Sequence, residues 1–184
     1  MADDDEAFRC LEVPQADNPV PAFNEAMVYW EARRGGAFAP AWADIDLMDL
    51  PSEVIPNCIV VDIDQTSGVI SYRFFGTGIA RLHQFELTNR TIDDVEPPAF
   101  REHIIGQYDS IIENRRPMLF ATEVPIDTSI NRFHFMLRLP LSDDGEVVTN
   151  ILTIEDFGDH RDELHDYYSA QAAGSSGYLV DSEK

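Results

Sequence analysis

The sequence predicts an α+β fold: a five-stranded antiparallel sheet with short helices and one longer helix on one face, plus an N-terminal helix. Three observations lead there. Strand-like apolar segments come as a pair, residues 58–64 and 69–75, and as a trio, residues 118–126, 132–141 and 146–154. Connectors inside each group are too short for parallel crossovers. Between the groups, "PPAFREHIIGQYDSIIENRRP" places Phe100, Ile104, Tyr108, Ile111 and Ile112 on one helical face.

Size and charge bound the rest. The 184 residues, 44% of them apolar, suit one domain with a real core. A net charge of −21, from 34 acidic and 13 basic residues, repels phosphate backbones and anionic lipid, so no nucleic-acid partner is expected. No apolar run approaches the roughly 20 residues that span a bilayer, so no membrane insertion is expected. The start "MADDDEAFRC" lacks the charge and apolar stretch of a signal peptide. Cys10 and Cys58 form neither a disulfide framework nor a metal spacing, which points to a reducing cytoplasm.

In chain order, residues 1–20 are acidic, proline-bearing and poor in core residues, and read as a disordered tail. "PAFNEAMVYWEARRGG" then reads as a helix, with Phe23, Met27 and Trp30 on one stripe, arginines near its C-terminus and Gly35-Gly36 stopping it. "ADIDLMDLPSEVIP" is a short helical turn and a proline-bounded connector. "CIVVDID" and "VISYRFFG" form a hairpin across "QTSG". Residues 77–95 hold one or two short helices. The long helix follows, bounded by Pro117, and then the three strands, with Asp144-Gly145 as a tight turn between the last two. The domain spans residues 21–157, flanking helix included. Residues 158–184 form an acidic extension in which "GDHRDELHDYYSAQAAG" reads as a helix from near Asp159.

Gly76-Thr77-Gly78 raises a choice. A dinucleotide turn needs a third glycine and a parallel strand–turn–helix unit, and both are missing here. The pair reads instead as a sharp strand exit with close helix packing, after which Ile79 and Leu82 face the sheet as a lid.

The pattern resembles the PAS domain. "YWEARRGG" at Tyr29–Gly36, Pro40, and "DIDLMDLP" at Asp44–Pro51 are similar to the opening of a bacterial family of stand-alone PAS proteins. "YRFFGTGIARLHQFELTNRTIDDV" is similar to its central segment, with Asn89 where the turn often carries glycine, and "RFHFMLRLPLSDDGEVVTNIL" to its closing hairpin. Asn tolerates the left-handed backbone, so that departure is mild. The resemblance covers roughly residues 27–155. It implies a sensory or adaptor module without enzyme activity, acting through another signalling protein, with a ligand held between sheet and helices or a partner bound on the outer face.

Strand alternation supplies candidate residues. Ile59, Val61 and Ile63 form one inward set, Tyr72 and Phe74 another, and Phe133, Phe135 and Leu137 a third. With Ile79 and Leu82 they line either a filled core or a pocket for a small apolar ligand, whose polar groups would be Tyr72, His83 and Asn150. His83 lies in the lid, where some PAS proteins place a haem ligand; it reads as a surface or hydrogen-bonded histidine. The lid has no cysteine for flavin photochemistry. No haem, flavin or metal is therefore expected, and no catalytic residues. The stripe Phe23, Met27 and Trp30, with Phe75 and Met136 facing outward from the sheet, is the candidate interface of a homodimer. The rival readings are a small enzyme using an α+β pocket and a scaffold with a filled core.

Overall fold

The computed structural model describes residues 9–127 and 130–174. Its centre is a six-stranded antiparallel sheet in the order β1-β4-β5-β6-β2-β3. The strands are β1 (Arg9–Val13), β2 (Cys58–Asp64), β3 (Val69–Phe75), β4 (Met118–Asp127), β5 (Ile130–Leu141) and β6 (Asn150–Asp156). The helices are α1 (Pro21–Arg34), α2 (Thr77–His83), α3 (Pro98–Asn114) and α4 (Arg161–Gly174). The predicted antiparallel α+β architecture is present. The sixth strand is β1, which lies in the segment expected to be disordered: Cys10 pairs with Thr122 and Val13 with Leu119 along the β4 edge. Its side chains gave little apolar signal because an edge strand is held by backbone bonds to its neighbour. Residues 1–8 and 175–184 lie outside the described residues.

Local chemistry sets most boundaries. Proline opens α1, where a missing N–H costs nothing, and Gly35 at φ 55° ends it. The β2–β3 turn uses the Asp64 carboxylate, which accepts from the Thr66 N–H at 2.9 Å, and Gly68 at φ 75°. Asn89 stands at φ 64°, the left-handed conformation expected where glycine is common. The β5–β6 connection is longer than a tight hairpin. Asp144 accepts from the Glu146 and Val147 N–H groups at 2.8 and 3.0 Å, and ladder pairing resumes only at Asn150. The local turn chemistry of Asp144 wins there over strand extension.

Both faces of the sheet are covered. On one, α1 packs Phe23, Ala26 and Trp30 against Val60, Leu137, Leu139 and Leu152. The Trp30 Nε1–H donates to the Pro140 carbonyl at 2.8 Å. The apolar stripe of α1 is thus buried in its own chain, which removes the physical argument for a dimer through Phe23 and Trp30; Met27 is half-buried at its edge. On the other face, α2, α3 and α4 close over Ile59, Val61, Tyr72, Phe75 and Met136, with Leu164 and Tyr168 of α4 inside the same core.

The α2 junction matches the reading of its glycines. A Cβ on Gly76 would collide with the Pro56 carbonyl oxygen, and one on Gly78 would meet the Asn57 side chain and the same Pro56 oxygen at 2.9 Å. Ile79 and Leu82 are both buried against the sheet.

Candidate functional site

A bulge in β3 decides which side chains face α2 and α3. Val60 pairs with Phe74 but Val61 pairs with Tyr72, so Arg73 is an extra residue. Strict alternation therefore breaks. Tyr72 and Phe75 both point to the helical face, and Phe74 turns to the α1 face. In β5 the more apolar set, Phe135, Leu137 and Leu139, faces α1, and the cavity side receives His134, Met136 and Arg138.

Between this face and the lid lies a cavity of about 30 Å³. Its walls are Ile59, Tyr72 and Phe75 from the hairpin, Ile79 and His83 from α2, and Phe100, Ile104 and Tyr108 from α3. Phe85, Leu87 and Val95 close one side, and Thr122, His134, Arg138 and Glu155 form a polar floor.

The floor is a connected network. Arg138, 2% exposed, donates from Nε and Nη2 to Gln107 Oε1 at 2.8 and 2.6 Å and from Nη1 to Thr153 Oγ1 at 2.7 Å. Its guanidinium also stacks 4.4 Å from the centre of the Tyr108 ring. Gln107 reaches His103 Nε2 at 2.9 Å and Cys10 Sγ at 3.2 Å. His103 Nε2 is 3.1 Å from Thr122 Oγ1. Next to this, His134 Nε2 lies 3.1 Å from Glu155 Oε2 with both side chains buried.

Burial sets the protonation states. Burial pushes the Glu155 carboxyl up, but the charge and hydrogen bond of His134, with smaller contributions from His83 and Arg138, more than compensate and hold it below the usual range. Burial lowers His83 to about 4, and burial with the Arg138 charge lowers His103 to about 4. It raises the Tyr72 and Tyr108 hydroxyls, which stay protonated as donors. Cys58 is pushed up to about 12, mainly by burial, and is inert as a nucleophile.

Of the candidate pocket residues, the structure brings Tyr72, Ile79 and His83 together at the cavity, with Leu82 buried behind them. Phe74 and Phe135 lie on the α1 face, and the Phe133 ring lies tilted beside that of Phe135, 6.5 Å between centres. Asn150 pairs with Asp62 at 2.5 Å, away from the cavity. Phe75 and Met136, expected outward, line the cavity instead. His83 is neither at the surface nor hydrogen-bonded among the described residues; its ring packs 4.2 Å from that of Tyr168 on α4. Sequence reasoning missed Arg138, Glu155 and Gln107. The available signal was one charge in each of two strands, Arg138 flanked by Leu137 and Leu139 in β5 and Glu155 directly after Ile154 near the end of β6.

Haem or flavin, which this kind of fold holds in other proteins, does not fit these residues. His83 reaches the cavity, but a porphyrin or isoalloxazine needs a pocket of about 300 Å³ or more. Among the described residues, no group of histidine, cysteine and carboxylate side chains is arranged to hold a metal. No helix among them is long and apolar enough to cross a membrane.

No curated protein sequence matches the chain. Among solved structures, a chain of an RNA-binding light-oxygen-voltage receptor is similar, with a TM-score of 0.38 and 14% identity. The likeness covers 91% of this chain but 44% of that one. A sequence profile described as PAS domain matches residues 19–154, from the start of α1 through β6. With sheet, lid and core cavity in place over that same span, the chain belongs to the PAS domain family.

Proposed function

We propose that this protein is a non-enzymatic sensory module of the cytoplasm: a small molecule enters the core cavity, and the lid passes its presence to a partner protein. The observation that carries this reading is the polar network facing a cavity under α2 and α3. Buried polar groups are costly, and a packed scaffold has no need of them at an open space. His83 offers the route outward. It faces the cavity on one side and contacts Tyr168 of α4 on the other, so a ligand that moves His83 moves α4 directly.

An enzyme is the weaker reading. Cys58 is buried and protonated, and the His134–Glu155 pair is spent on itself. RNA binding, the property in the similar receptor's name, is opposed here by the net charge of −21. The small volume of the cavity favours one competing reading, an interaction module with a filled core. Native against denaturing mass spectrometry of the purified protein separates the two. A small-molecule mass retained natively and lost on denaturation is expected, and a bare chain in both spectra speaks for the filled core.

A further inference from the structure

Arg138 is a buried cation without an acidic partner. Its acceptors are the neutral Gln107 and Thr153, and no carboxylate lies within ion-pair distance among the described residues. Of its five N–H groups, three are bound to oxygen; the Met136 sulfur lies 3.7 Å from Nη2, and the Tyr108 hydroxyl is also close enough to feel the guanidinium. Glu155, the carboxylate at the cavity, feels the Arg138 charge through space but makes its hydrogen bond with His134 at 3.1 Å, not with the guanidinium. His83 and His103, both lowered to about 4, are neutral at neutral pH and add no positive charge of their own. A guanidinium taken out of water is costly unless an anion meets it. Here the protein satisfies the geometry of the fork with neutral groups and leaves its charge facing a cavity.

We propose that the cavity binds a small monocarboxylate, with its carboxylate on the Arg138 guanidinium and a short hydrocarbon body among Phe75, Ile79 and Ile104. This rests on the reading of the cavity as a ligand site. Guanidinium matches carboxylate by a two-point fork, and such charge-assisted bonds are about twice as strong as neutral ones. Tyr72 and Tyr108 line the same cavity as hydroxyl donors. A phosphate is disfavoured: the Glu155 carboxylate stands beside the Arg138 guanidinium, and much of the remaining wall is apolar. The volume of about 30 Å³ holds roughly two waters' worth of ligand, about the size of acetate, so each further carbon requires the side chains of the wall to give way.

The test is titration of the full chain, followed by NMR and calorimetry, with acetate, propionate and butyrate against acetamide, propionamide and butyramide. Ionic strength is held constant at pH 7, and inorganic phosphate is the control anion. At least one acid should bind with shifts at Ile79 and His83, and its amide should bind roughly tenfold or more weakly, the worth of a charged hydrogen bond. Arg138→Met should abolish the preference for acid over amide, and Arg138→Lys should retain part of it. If Arg138→Met does not fold, the acid–amide comparison on the unmodified protein still decides. Equal binding of acid and amide overturns the carboxylate proposal while leaving a ligand cavity. Binding by phosphate but by none of the acids overturns it too. If no probe binds, the proposal falls, and a bare mass in the native spectrum then removes the ligand reading with it.

Discussion

His83 is held at about 4 by burial, with the Glu155 charge pulling it up and His134 pushing it down. Its unfolded value is near the usual 6.5. Between these values the unfolded chain binds the extra proton, so stability rises with pH there and is lost as pH falls from 6.5 toward 4. His103 acts in the same direction, more weakly because it is half-buried. Glu155 is depressed, so its contribution is present above the ordinary carboxylate value and fails only at lower pH. The expected outcome is a loss of about 2 kcal/mol from His83 between pH 7 and pH 5 in urea unfolding. His83→Phe keeps an aromatic ring against Phe85 and Tyr168 and should flatten that slope. An equal slope in the variant would show that the imidazole is not the titrating group.

Two elements are held by features a single substitution can break. The first is the strand-to-helix junction. Pro56 and Asn57 sit where a side chain on Gly78 would go, so Gly78→Val must push α2 off the sheet. Overpacking at this junction suggests a destabilisation of about 1–3 kcal/mol. An unchanged denaturation midpoint would mean that the junction relaxes freely. The second is α1. Trp30 is buried between the helix and β5, and Trp30→Ala should cost about 3–5 kcal/mol of stability. Light scattering should give the variant the same mass as the unmodified protein. A lower mass would return the stripe to an interface between chains.

At the scale of the whole molecule, the sheet has two apolar faces and a different cover on each. Local patterning determined a good deal of this by itself. The 3.6-residue period marked α1 and α3, the two-residue period marked β2 to β5, and glycine or asparagine marked the turns and the lid junction, because each signal depends on neighbours along the chain. The quoted segments around Tyr29, Tyr72 and Phe133 pointed to the PAS domain on the same ground. Other features were out of reach. β1 is a strand only because the β4 edge offers it partners more than 100 residues away, as in Cys10 with Thr122. Phe75 faces the cavity and Phe74 the α1 side because one bulged residue, Arg73, resets the alternation, and no local pattern announces a bulge. In β5 the greasier side looked like the cavity side. With α1 covering it, the polar side was left to build the site, so Arg138, His134 and Glu155 meet at a point assembled from two strands. Periodicity states which residues share a face; which face encloses the cavity is settled only when the helices choose their sides.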